Sequence, residues 1–257
     1  MKILFIGDIV GRPGREAVKA LLPKLKKKYQ PDFILANGEN LASGKGVTPK
    51  IYEEIIAAGI DLLTGGNHIL KRPEVLTIID SPSIKLIRPA NWPADQPGKT
   101  YIELKKNGDE LLVVNLEGQV YMEEPADSPF TVAEKVIKQH RCKYTLVDFH
   151  AEATSEKRAL AEYLDGRVGA VLGTHTHVTT ADEKILPRGT GFITDIGMTG
   201  TIDSVLGVKK ELVIERFLSG EKKVFEVAEG TVELNAVFLE LGTDGLTKKI
   251  KRVRGRY

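Results

Sequence analysis

Cysteine is nearly absent. A single Cys142 among 257 residues leaves no internal disulfide and suits a reducing compartment. Charge of one sign is missing too: 37 basic side chains stand against 35 acidic ones for a net charge of +2, so no global field steers a polyanion. Nucleic acid is therefore not the expected partner. The clusters Lys26-Lys27-Lys28 and 248–256 read as solvated surface. No apolar run approaches the roughly 18 residues of a membrane span, and "MKILFIGDIV" lacks a small-residue cleavage site, so it reads as a first strand. A soluble, cytoplasmic protein is expected. Repeats, low-complexity linkers and composition shifts are lacking, and the expectation is one domain over residues 1–257.

Short apolar runs are plentiful. They recur at 2–7, 32–36, 61–64, 111–116, 144–149, 168–172 and 191–194, as near-continuous stretches that suit strands covered on both faces. Helical patterns lie between them at 14–29, 49–58, 72–80, 130–140 and 155–164, with Thr48-Pro49 as a cap followed by proline at the first helical position. The alternation predicts α/β architecture with parallel strands near the centre. Asn107-Gly108 and Glu229-Gly230 each lie between apolar runs and read as hairpin turns. Such antiparallel additions imply a second sheet or a wide mixed one, and so a layered sandwich.

The residues that close the strands share one chemistry. Asp8 follows the first run, Glu39 and Asn40 the second, and Asn67 and His68 the third; His150 closes "LVDFH", and His175 and His177 close "VLGTHTH". Ligands bind at the carboxyl edge of parallel strands, where successive loops converge. Four of only five histidines stand there, beside glycine or carboxylate; the fifth, His140, lies late in a helical pattern and reads as surface. Carboxylates, carboxamides and imidazoles without thiolate suit Mn, Fe, Zn or Co, and the donors are too many for one ion. If the backbone stays extended, His175 and His177 share a side and each can serve one of two ions about 3.5 Å apart. For each residue alone, a turn, a cap or a core imidazole is the competing explanation; the ensemble favours metal.

Two glycine-rich stretches imitate phosphate loops. "GENLASGKG" has a spacer one residue too long for a Walker loop and puts Gly46 where Ser or Thr should hold magnesium; "GDIVGRPG" misses the dinucleotide fingerprint. Both read as backbone passing close to the metals, with Gly44 to Gly46 as a rim loop. Lys45, Asn91, Trp92, Met198 and Thr199 are candidate pocket-lining residues.

The ordered series "GD", "GEN", "GNH", a lone His and "GTHTH" resembles the calcineurin-like metallophosphoesterases. More closely, "ILFIGDIVGRPGR", "NGENLASGKG", "RPANWP", "DFHAEATSEK", "GTHTHV" and "TDIGMTG" resemble the YmdB-type branch of bacterial cyclic-nucleotide phosphodiesterases over almost the full chain. The resemblance implies an α/β/β/α sandwich of mixed sheets. It implies Asp8, Glu39, Asn40 and His177 around one metal and Glu39, Asn67, His150 and His175 around the other, with Glu39 bridging and His68 as proton donor. Val10 stands where the superfamily usually has a metal-binding histidine, Glu39 where it has an aspartate, and Ile69 where many members have an acid after the GNH motif. The implied cofactors are two divalent or trivalent ions, Fe or Mn before Zn or Co. The implied activity is hydrolysis of a small cyclic nucleotide, 2',3' or 3',5', by water activated between the ions, and a homo-oligomer is expected on the same ground. A regulatory nucleotide-binding protein and a 5'-nucleotidase-like monoesterase are the alternatives.

Overall fold

Alternate residues of the apolar strands enter different cores, and that rhythm sets the architecture of the computed structural model, which describes residues 1–123, 126–140 and 142–257. In chain order the elements are β1 (Lys2–Ile6), α1 (Gly11–Tyr29), β2 (Phe33–Asn37), α2 (Pro49–Ala57), β3 (Leu62–Thr64), β4 (Leu86–Ile87), β5 (Tyr101–Lys106), β6 (Asp109–Glu117) and α3 (Pro129–His140). They continue with β7 (Tyr144–His150), α4 (Thr154–Leu164), β8 (Ala170–Thr174), β9 (Lys184–Ile185), β10 (Gly191–Ile193), β11 (Gly200–Thr201), α5 (Lys210–Ser219), β12 (Val232–Leu241) and β13 (Thr247–Arg256).

One sheet runs β11-β12-β1-β2-β3-β4 with β13 paired to β12; the other runs β5-β6-β7-β8-β10-β9. Strands β1 to β4 are mutually parallel, as are β6, β7, β8 and β10, and the antiparallel strands lie outside these blocks. Ile3, Phe5 and Leu35 face Leu111, Val113, Leu146 and Leu172 in the core between the sheets. Their neighbours Leu4, Ile6 and Ile34 turn outward onto Val18 and Leu22 of α1 and Ile55 of α2. Leu112, Val114, Val147 and Val171 likewise pack against Val136 of α3 and Leu160 and Leu164 of α4. The layers are therefore helix, sheet, sheet, helix, the expected mixed-sheet α/β/β/α sandwich.

The Asn107-Gly108 turn forms as read, both residues at positive φ (54° and 84°) as a type I′ hairpin requires, with Lys106 opposite Asp109. The turn read at Glu229-Gly230 is not a hairpin. The segment before it makes only an isolated bridge, Val227 to Val208, while the long apolar run of β12 pairs with β13 across a turn at Gly242 to Gly245. The helix expected over 72–80 shrinks to a 3-10 turn, Pro73–Thr77, which ends at β-branched Thr77 with Ile78, Ile79 and then Pro82 following. Helix α5 was not expected; it ends in a left-handed Gly220 whose N–H returns to Arg216 O. Thr48 caps α2 as read, accepting from Ile51 N at 3.4 Å.

Candidate metal centre

The ends of β1, β2 and β3 in one sheet meet the ends of β7 and β8 in the other. Asn37, closing β2, ties the floor together: its Nδ2 donates to Gly65 O at 2.8 Å and its Oδ1 accepts from Glu39 N at 3.1 Å. Glu39 thereby projects between two groups of donors. Its Oε2 lies 3.3 Å from His150 Nε2, which in turn lies 3.1 Å from Asn67 Oδ1 and 3.0 Å from His175 Nδ1. Its Oε1 lies 2.9 Å from Asn40 Nδ2, and Asn40 Nδ2 is 3.1 Å from His177 Nε2. Asp8 stands beside both, with Oδ1 3.9 Å from His177 Nε2 and 4.0 Å from His150 Nδ1. Gly66 passes so close that a Cβ there would sit 2.4 Å from Glu39 Oε2 and from His150 Nε2.

Each of these three histidines is held by its outer nitrogen. His150 Nδ1 lies 3.0 Å from Thr174 Oγ1, whose hydroxyl donates to Asp148 Oδ1 at 2.7 Å. His177 Nδ1 donates to Leu206 O at 2.9 Å, and His175 Nε2 faces Glu152 Oε2 at 3.3 Å. Such outer acceptors fix the tautomer and aim the remaining lone pair inward, as in metal-ligating imidazoles.

Two observations fit a cation. The facing nitrogens of His150 and His175, 3.0 Å apart, converge where a proton or a metal ion can sit between them, and buried Asp8 Oδ1 accepts no hydrogen bond from the described residues. The buried groups also shift one another's proton affinities. Burial would lower His150, but Glu39, Asp8 and Asp148 outweigh it and push it up to about 9. His175 is pushed down to about 3 by burial and by adjacent His150. Burial works to raise Glu39 as well, yet His150 and His68 hold it well below the usual carboxylate range. Asp8 is raised, chiefly by burial. Burial also pushes Asp148 up to about 7.

The backbone at the histidine pair is not extended. His175 and His177 both have positive φ, 100° and 64°, which side chains with a Cβ rarely adopt. A buried ion pair stabilises this turn. Lys157 Nζ donates to Thr174 O at 2.8 Å and to Asp195 Oδ2 at 2.6 Å, and Asp195 also accepts from Thr176 N at 3.1 Å and Gly197 N at 2.8 Å. Lys157, Asp195 and Asp148 are not among the residues that the sequence pattern singles out. Asp148 did leave a signal there, since a carboxylate two residues before His150 on a strand shares its face.

His68 stands at the mouth. Its Nδ1 meets Asn40 Oδ1 at 2.9 Å and Glu39 Oε1 at 3.2 Å, so Asn40 takes the orienting place that Ile69 cannot fill. Lys45 lines the cleft as expected. Asn91 and Trp92 do not: Asn91 pins Glu117 and Asp127, and the Trp92 indole donates to Glu117 in the interior. Met198 and Thr199 lie behind the site, their amides bonded to His177 O and Asp8 O. His140 is remote from it, as read, but is mostly covered by Tyr101 and bonded to Glu103.

The YmdB-like protein family matches residues 4–253 of this chain. A 2',3'-cyclic-nucleotide 2'-phosphodiesterase of Bacillus subtilis is 50% identical over 255 residues, 98% of this chain and 95% of the relative. A crystal structure of a hypothetical protein from Thermus thermophilus superposes with a TM-score of 0.95 at 42% identity, covering 100% of this chain and 99% of the other. A novel phosphatase from Mycoplasma pneumoniae superposes with a TM-score of 0.94 at 36% identity, over 100% and 93% of the two chains.

Proposed function

Since the chain belongs to the YmdB-like protein family, we propose that it is a metal-dependent phosphodiesterase that hydrolyses a small cyclic nucleotide. The 2',3'-cyclic phosphate is the foremost candidate, since that is the substrate in the name of the Bacillus subtilis relative. The carrying observation is the convergence of His150 Nε2, His175 Nδ1 and both oxygens of Glu39 on one end of the sandwich, beside a buried Asp8 oxygen with no donor among the described residues.

Asp8, Glu39, Asn40 and His177 would hold one ion, Asn40 with its carboxamide turned so that its oxygen takes the place of the nitrogen facing Glu39 and His177, and Glu39, Asn67, His150 and His175 would hold the other. The donors are nitrogen and oxygen throughout, which suits Mn or Fe. When bound, the pair of ions neutralises phosphoryl charge and acidifies the attacking water. The chain supplies the rest. Glu39 fixes the spacing of the two groups through its two oxygens. The Asn40 carboxamide, 2.9 Å from His68 Nδ1, sets the His68 ring so that Nε2 can carry a proton to the leaving ribose oxygen. Attack at phosphorus with departure of O2' leaves the 3'-phosphate.

The test begins with protein stripped by a chelator and resupplied with Mn²⁺, Fe²⁺, Co²⁺ or Zn²⁺. Turnover of 2',3'-cyclic AMP, 3',5'-cyclic AMP and 5'-AMP is then compared. Restored diester cleavage with 5'-AMP left intact is expected. If no divalent ion restores any turnover, the proposal is wrong.

A further inference from the structure

The metal centre occupies one end of a cleft of about 630 Å³ that continues past His177 to a wall built from 206–208, 223–227 and Arg216 of α5. That volume far exceeds one phosphoryl group and lies in the range of small-molecule sites. The far wall is unlike the floor. It carries Leu206 and Val224, 48% and 87% exposed, and the half-buried ring of Phe225. The Arg216 guanidinium carbon lies over that ring, 5.2 Å from its centroid.

An apolar wall of Leu206, Val224 and Phe225 facing a polar floor within one cleft is the composition of a ligand groove. Their position is also fixed relative to the hydrolytic end, because Leu206 O accepts from His177 Nδ1 and Val227 touches the rim at the position a Cβ of Gly44 would take. A guanidinium stacked on an aromatic ring offers a planar, pre-oriented surface of the kind on which bases stack without sequence preference.

We propose that Phe225, backed by Arg216, is the platform on which the nucleobase of the substrate stacks, so that the cleft selects nucleotides over phosphodiesters without a base. This rests on the phosphodiesterase reading for its substrate class, and the platform itself is a statement about binding.

The experiment compares Phe225→Leu and Phe225→Trp with the parent chain, circular dichroism confirming the fold of each. Binding of 3'-AMP and of inorganic phosphate is measured by calorimetry with and without Mn²⁺, and kcat/KM for 2',3'-cyclic AMP and for glycerol 1,2-cyclic phosphate with Mn²⁺. A stacked base lost to leucine corresponds to about a tenfold change. F225L should narrow the 3'-AMP to phosphate affinity ratio about tenfold, and the selectivity ratio between the two diesters equally through KM, while F225W keeps both ratios. Unchanged ratios in F225L, or equal losses in F225L and F225W, would overturn the platform. If the parent chain turns over no cyclic nucleotide yet its 3'-AMP affinity depends on an aromatic residue at 225, the platform stands and the phosphodiesterase reading falls. If it turns over cyclic nucleotides with ratios that ignore residue 225, the phosphodiesterase reading stands and the platform falls.

Discussion

His68 and Lys157 show two ways in which one side chain serves a site without being a ligand. His68 is more exposed than the histidines beneath it; its ring meets Asn40 and Glu39 through Nδ1, and its backbone N–H, which an alanine keeps, donates to Glu39 Oε2 at 2.9 Å. His68→Ala should therefore keep the metal content of the parent chain. Turnover of a ribose diester should fall by about two orders of magnitude or more, and that of bis(p-nitrophenyl) phosphate, whose leaving group needs no proton, far less. Equal losses on both substrates would refute the proton-donor role. Lys157 is fully buried, and its ammonium is matched by Asp195 and Thr174 O. Lys157→Met leaves Asp195 uncompensated and should cost about 3–5 kcal/mol in urea unfolding, with a loss of metal affinity as the 175–177 turn relaxes. Adding Asp195→Asn should return part of the stability. The eight candidate residues were legible because imidazoles and carboxylates at successive strand ends form a chemical pattern. Lys157 was not, since a lysine in "TSEK" on a helix reads as solvated surface, and only packing of α4 under β8 and β10 puts it inside.

At the level of elements, the parallel strands were legible because a run covered on both faces must be apolar throughout. Helix α5 was not: its apolar Ile214, Phe217 and Leu218 face solvent, so the usual link between an apolar stripe and a core gives no guide. The chain from 175 to 190 is a strap that carries the histidine pair and returns through β9. Asp182 fastens it to the end of β10: its Oδ1 accepts from Thr180 Oγ1 at 2.7 Å and Thr194 N at 3.1 Å, and its Oδ2 from Thr194 Oγ1 at 2.6 Å. Burial raises this carboxyl, but these donors outweigh it and hold it below its ordinary value. Its contribution is therefore complete above the unfolded pKa near 3.8 and is lost as pH falls through the lower folded value. Asp182→Asn should cost about 1 kcal/mol near pH 7, discounted for partial exposure. The gap to the parent chain should close in denaturation series taken below pH 4. A gap that stays constant with pH would show that the charge plays no part.

Across the whole molecule, the two sheets join their carboxyl ends around Asp8, Glu39, Asp148 and Asp195, all buried to within 1%. Among the described residues, Lys157 and His150 are the fully buried groups that can answer them with positive charge in close contact, and the fold stands on a charge balance that bound metal would complete. Stability and function should then oppose one another at Asp8. Among the described residues its Oδ1 has no donor, whereas its Oδ2 accepts a long bond from His175 N at 3.3 Å, which an asparagine oxygen can keep. In chelator, Asp8→Asn removes a buried charge without losing that bond, and should raise the unfolding free energy by about 1–2 kcal/mol. With Mn²⁺ present the order reverses. The parent chain gains about 2.7 kcal/mol at a hundredfold excess over its dissociation constant, and the variant gains much less because a ligand is gone. Thermal unfolding of both chains with and without Mn²⁺ gives the four midpoints needed. Crossing lines are expected; a variant less stable than the parent chain in both conditions would mean that the neighbouring His150 and His177 already balance the Asp8 charge without metal.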